Sequence, residues 1–160
     1  MSGFEGFVQA LDYPVHVVTA ACSGERAGCL VGFAGQTSID PPRFTVWLSK
    51  ANRTYAVAAR SAVLAVHTLP HDALALARLF GALTEDEGVD KFARTPWTPG
   101  PEGVPLLGGA AAWLVGRVLD RADWGDHVGF LLDPLDARQA RPGPVLMYRQ
   151  VRDLDAGHPA

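Results

Sequence analysis

The sequence has little that would tie it to a nucleic acid, a membrane or an oxidising compartment. It carries two cysteines, Cys22 and Cys29, too few for a disulfide framework and suited to reduced, buried thiols. A net charge of -3 and a pI near 5.9 leave no basic excess for a phosphate backbone. No five like charges run together, so no nucleic-acid partner is expected. The most apolar run, Leu106 to Val118, is interrupted by Gly108, Gly109 and Gly116. It falls short of the roughly 20 residues that a membrane span needs. The opening MSGFEGFVQALDYP has neither a basic segment nor a continuous apolar one. A cytoplasmic protein with no membrane association is expected.

Familiar catalytic signatures are missing too. There is no G-x-x-x-x-G-K-[ST], no G-x-G-x-x-G after a strand and no G-x-S-x-G. P-loop, Rossmann and hydrolase readings therefore have no support. His67 and His71 have H-x3-H spacing, but Pro70 between them breaks the helix that would align two imidazoles on a metal. No metal site is expected. The acidic Glu85-Asp86-Glu87 sits in a polar loop and reads as solvated.

What is present is a globular composition. Of 160 residues, 48% are hydrophobic and 19% charged, which suits one domain over 1–160 with its core at about 13–148. Phe4, Phe7, Val8 and Leu11 have helical spacing, so 3–11 reads as a short amphipathic helix. Short β-branched or apolar runs predict strands at 15–22, 27–34, 44–48, 62–68, 110–119, 128–132 and 145–148. Ser23 to Arg26 reads as a turn. Asn52 is a natural N-cap for a helix through Tyr55 and Ala59. Asp72 should cap a helix over 72–83, with Leu74, Leu76, Ala77, Leu79 and Phe80 as its packing residues. Residues 84–109 read as irregular, with DKFA as a short helical piece and TPWTPGPEG as loop. The tail DLDAGHPA should fray. The four tryptophans (47, 97, 113 and 124) read as core or pocket wall. The sum is a mainly β fold with α additions, a compact β-barrel.

Three stretches carry chemistry. GERAGCLVGFAGQTSIDPPRF is too apolar for a surface loop and too rich in glycine for an ordinary strand. Glycines in strands mark places where a ligand or another backbone comes close, or where a barrel strand must curve. Gly28, Gly32 and Gly35 would let a flat ligand lie on the main chain. Thr37 and Ser38 offer hydroxyls, and Asp40-Pro41-Pro42 forms a rigid corner. The next stretch, Ser49-Lys50-Ala51-Asn52-Arg53-Thr54, follows a strand and opens a helix. It combines free N–H groups, two cations and hydroxyls, as a phosphate seat does. An ordinary capped helix would look similar. The third stretch, Gly125-Asp126-His127, lies between strands and offers an imidazole to face a ligand. By itself it also reads as a plain turn.

In this order the pieces resemble the flavin reductase-like family of FMN-binding split β-barrels with Greek-key topology. The resemblance rests on YPVHVVTA, AGCLVGFAGQTSIDPPRFTVWLSKANRTY, LARLFG with DKFA, the PLL of VPLLGG, and GDHVGF. It spans roughly Tyr13 to Tyr148. It implies a flavin reductase that transfers hydride from NADH or NADPH to FMN, with FAD possible. A homodimer and a monooxygenase partner fed with reduced flavin are implied as well. By the same resemblance, Ala27, Gly28, Cys29, Leu30 and Val31 run beside the isoalloxazine. Gln36, Thr37 and Ser38 approach the flavin or its ribityl chain. Ser49, Lys50, Asn52, Arg53 and Thr54 seat the phosphate, and His127 lies near the nicotinamide as the catalytic residue. Where better-known reductases have more small polar residues, this chain has Gly28-Cys29-Leu30-Val31, so backbone groups would do more of the binding. Three alternatives stay open: an FMN electron carrier that does not oxidise NAD(P)H, a barrel that binds a deazaflavin or haem (with His67 or His127 as axial ligand), and a barrel with no ligand.

Overall fold

The computed structural model describes residues 2–81 and 90–152. Its strands are β1 (His16–Cys22), β2 (Glu25–Val31), β3 (Ala34–Ser38), β4 (Arg43–Ser49), β5 (Val63–Thr68), β6 (Trp97–Pro99), β7 (Pro105–Leu107), β8 (Ala112–Asp123) and β9 (His127–Gln139). Its helices are α1 (Gly3–Gln9), α2 (Arg53–Ala58), α3 (Leu74–Gly81) and α4 (Tyr148–Val151). Seven strands form one antiparallel sheet in the order β2-β1-β5-β8-β9-β4-β3, and β6 and β7 form a separate ribbon. The sheet curls into a Greek-key split β-barrel. β2 and β4 face each other without pairing, and α2 fills the split with its buried Val57 and Ala58.

Alternation builds the core. Val18 and Ala20 of β1 point into the barrel with Val46, Leu48, Leu64, Phe130 and Leu132. Val17 points outward, under α3 and α4, with Leu69, Phe80 and Leu146. β1 is therefore covered on both faces, which is why its sequence is nearly all apolar. Each large side chain taken fully out of water contributes about 1.5–3 kcal/mol. Two polar side chains tie β7 to the outside of the barrel. Thr19 donates to the Pro105 carbonyl at 2.6 Å. The buried His67 donates from Nδ1 to the Val17 carbonyl at 2.9 Å and accepts the Leu107 N–H at Nε2 at 3.1 Å. His67 is thus a structural imidazole, fixed in one tautomer. Burial lowers its pKa to about 4.

The structure departs from the sequence reading at several points. The expected strand 27–34 is two elements, because the chain turns a corner at Gly32-Phe33 and 34–38 pairs with β4 as an edge strand. The turn expected at 23–26 is only Ser23-Gly24. Both residues have positive φ (52° and 80°), the two-residue turn that suits a twisted hairpin. The proline-rich 97–105 is not all loop: Trp97–Pro99 pairs with Pro105–Leu107, with prolines at the ends where no ladder bond is lost. The last two long strands extend to Asp123 and Gln139, well past the expected ends. Residues 145–148 are not a strand. They make isolated bridges to Pro70 and Pro14 and then enter α4. Leu74 is exposed rather than packed, and so is Trp124. The acidic run 85–87, the end of the helix expected over 72–83 and the tail from 153 lie outside the described residues.

Candidate active site

A cavity of about 310 Å3 opens where β2 ends, β4 ends and β9 begins. Pairing explains why these segments meet. Ser49 and His127 are register partners across β4 and β9, and the Lys50 N–H donates to the Asp126 carbonyl at 2.9 Å. The phosphate-seat sequence and the GDH turn, over 70 residues apart, are thereby adjacent. Cys29, Leu30 and Val31 form one wall of the cavity, and Ser49, Asn52 and His127 supply polar groups to it.

Gly32 also lines the cavity, and the remaining predicted residues lie around it rather than on its wall. Ala27 is buried in the barrel core. Gly28 is small for a packing reason: a Cβ there would come within 2.8 Å of the Phe80 ring. Its carbonyl accepts from the buried Lys91 Nζ at 3.0 Å, and the same ammonium reaches the Phe80 carbonyl at 3.2 Å. Lys91 thus pins β2 to the end of α3 beneath the site. At Gly32 a side chain would meet the Tyr13 ring, whereas Gly35 faces open space. Gln36, Thr37 and Ser38 sit on the edge strand. Gln36 bonds the Ser38 carbonyl, and Thr37 accepts from Thr45. Lys50 pairs with Asp123 at 2.7 Å, and Arg53 pairs with Glu25 at 2.8 Å. Asn52 caps α2 by accepting the Thr54 N–H at 2.8 Å. The Thr54 side chain is buried and hydrogen-bonds Cys29. Burial pushes the Cys29 thiol up to about 11, so it stays protonated and does not act as a nucleophile.

His127 is held from one side. Its Nδ1 lies 2.7 Å from the Asp126 carboxylate. That bond, and the imidazole's charge when protonated, lower the carboxyl pKa of Asp126. The Phe33 ring stands 4.9 Å from the imidazole, and Trp47 covers Gly129 on the neighbouring strand. Across the cavity Tyr13 and Tyr148 stack at 4.8 Å. Trp47 lines the cavity, as the sequence allowed, but the other walls, with Val8 and Phe80, were not picked out from the sequence. They come from five separate segments, and no spacing rule groups them.

The residues fit a flat, largely apolar ring system with one polar edge. The volume lies at the low end of the roughly 300–1,000 Å3 usual for small-molecule sites. The walls are aromatic and aliphatic, and the hydroxyl, amide and imidazole groups gather along the β4–β9 side.

Comparison with known proteins identifies the family. The pattern of the "Flavin reductase like domain" matches residues 8–155, and the chain belongs to that family. A probable flavin reductase from Rhizobium meliloti is 30% identical over 115 residues, covering 69% of this chain. The chain spans just over a third of that protein's length (36%). The 4-hydroxyphenylacetate 3-monooxygenase reductase component of Pseudomonas aeruginosa is 27% identical over 91% of this chain and 85% of its own. Among solved structures, the NADH:FAD oxidoreductase SgcE6 of Streptomyces globisporus superimposes with a TM-score of 0.80. It is 25% identical, over 92% of this chain and 90% of its own. No helix among the described residues is long and apolar enough to cross a membrane.

Proposed function

We propose that this protein is an NAD(P)H-dependent flavin oxidoreductase that uses FMN, with FAD as the alternative flavin, in the cavity between β2 and the β4–β9 pair. The carrying observation is that Ser49, Asn52 and His127 meet on one side of an apolar, aromatic-walled cavity. When bound, the flavin supplies the hydride-accepting ring nitrogen that no side chain can provide. Cys29, Leu30 and Val31 give the ring a flat, dry wall. Ser49 and Asn52 offer hydrogen bonds to the polar end. Lys50 and Arg53, next to them in sequence, exchange their carboxylate partners for the flavin phosphate. His127, oriented by Asp126, presents its other nitrogen to the nicotinamide side and positions it for transfer.

The protein works as a single domain and as a homodimer in the cytoplasm. The exposed Phe4, Phe7 and Leu11 of the N-terminal segment support pairing, since a lone barrel would leave them in water. The two free thiols support a reducing compartment. Reduced flavin passes to a partner monooxygenase, as the name of the Pseudomonas aeruginosa relative suggests for that protein.

The test is oxidation of NADH and of NADPH by the purified protein, with and without added FMN or FAD, followed by absorbance. Flavin-dependent turnover is expected. A flavin that stays bound with no turnover would convert the reading to an electron carrier. No flavin binding at all would end it.

A further inference from the structure

A second cavity, of about 350 Å3, lies at the end of the barrel where β1 begins and β5 ends, and it shares no wall residue with the first. Phe44, Val66, Trp113 and Leu114 make its sides apolar. Among them stands His16, only 8% exposed, with its ring edge-on to Phe44 at 5.7 Å. Its Nδ1 is shut off from solvent and has no hydrogen-bond partner. The contrast with His67 is instructive: that imidazole spends both nitrogens on backbone groups. His16 ties nothing together. Its strand neighbours facing the interior, Val18 and Ala20, are aliphatic, and an aliphatic residue at 16 would avoid the cost of an unpaired buried polar atom. Burial keeps the ring uncharged near neutral pH, with a pKa lowered to about 4. At the rim stands Arg138, exposed and in no ion pair among the described residues.

We propose that this cavity binds a small planar hydroxyaromatic acid. The aromatic body lies between Phe44 and Leu114, the hydroxyl bonds the His16 imidazole, and the carboxylate meets Arg138. The volume is within the range of small-molecule sites. In the described orientation Nδ1 is closed off, so the hydroxyl reaches it once a half-turn of the ring brings it round to the cavity, where a group that both donates and accepts suits either tautomer. A guanidinium at the mouth takes a carboxylate with two parallel bonds. The site is separate from the flavin cavity and does not depend on the flavin reading.

The test is calorimetric titration of 4-hydroxybenzoate into the full-length protein, with and without added flavin. Saturable binding of one acid per chain is expected, unaffected by NADH. Benzoate, which lacks the hydroxyl, should bind several-fold more weakly. Arg138→Gln, a surface change that leaves the fold alone, should weaken binding by about tenfold. Leu114→Trp, which fills the cavity, should abolish it, with flavin content unchanged in both variants. No saturable heat in the wild-type protein would overturn the proposal. So would binding that NADH displaces or that Arg138→Gln leaves intact, since either result puts the acid in the first cavity. A dimer that Leu114→Trp dissociates, with no heat from the acid, would assign the cavity to contact between copies and equally overturn it.

Discussion

The imidazole of His127 is bound through Nδ1 to the carboxylate of Asp126, its neighbour in sequence, at 2.7 Å. Facing a carboxylate, Nδ1 carries the proton, so Nε2 is the nitrogen left for a ligand. His127→Ala should lower kcat/KM for the nicotinamide by roughly ten- to a hundredfold. Flavin affinity should stay within a factor of two or so, because the proposed flavin wall is formed by Cys29, Leu30 and Val31 on the facing strand. Asp126→Ala should give a smaller loss in the same direction. Steady-state kinetics beside a flavin titration separate the two quantities. A fall in flavin affinity that matches the loss of turnover would place His127 on the flavin instead.

Asn52 serves the fold and the cavity together, and two variants split these roles. Asn52→Ala removes the cap on the Thr54 N–H and should cost about 1 kcal/mol in urea denaturation. Flavin affinity should fall as well, because the side chain lines the site. Asn52→Asp keeps a capping oxygen and adds a negative charge, so stability should hold while flavin affinity drops. If Asn52→Asp binds flavin as well as the wild type, the phosphate is seated elsewhere.

Gly28 is reserved for the Phe80 ring. A methyl group there, 2.8 Å from an aromatic carbon, should destabilise the protein by about 1–3 kcal/mol through overpacking. Combining Gly28→Ala with Phe80→Leu should recover part of that loss, a coupling that a thermal-melt double-mutant cycle would detect. Strictly additive effects would mean that the ring moves aside freely.

The two buried histidines make the protein acid-sensitive in a defined window. Unfolded, each imidazole takes up a proton near pH 6.5; folded, each is held neutral until about pH 4. Between those values the unfolded chain binds more protons, so stability falls as the pH is lowered through the window. Below it these two groups add no further loss. Each unit of gap is worth about 1.4 kcal/mol per histidine, before any relaxation of the folded state. The urea midpoint should therefore drop from pH 7 to pH 5. His67→Phe should be less stable at pH 7 by about 1–3 kcal/mol, because the Val17 carbonyl and the Leu107 N–H lose their partner. It should also show a shallower pH dependence. An identical slope in the variant would remove His67 from the explanation.

Much of the barrel could be read from short β-branched runs and turn residues, because alternation and hairpin chemistry are local signals. The polar character of Ser49 to Asn52 and of Asp126-His127 at strand ends was visible for the same reason. What stayed hidden depends on pairing at a distance. That Ser49 and His127 share a register position follows from the strand order, which no local pattern encodes. Gly28 drew attention as a glycine, but the Phe80 ring that requires it lies over 50 residues away. Tyr13, Phe33 and Tyr148 each look like ordinary core aromatics until the fold gathers them. The ribbon at 97–107 was concealed by its prolines, which sit at strand ends where pairing tolerates them. The cations at 50 and 53 were legible as charges, whereas their carboxylate partners on β8 and β2 were not.

The β8–β9 hairpin stands between β5 and β4 in the sheet, two strands that come much earlier in the chain. Its own ladder forms locally, but its outer edges pair with strands made tens of residues before. Closing the barrel is therefore a search across long loops, whose entropy must be spent before the docked edges return any binding. Refolding should fall in the millisecond-to-second range of β-rich domains, not the microseconds of helical bundles. During that interval the edges of β4 and β5 are exposed. In a cell at high expression levels, the time taken to seat this one hairpin sets how long the chain is open to pairing with its neighbours.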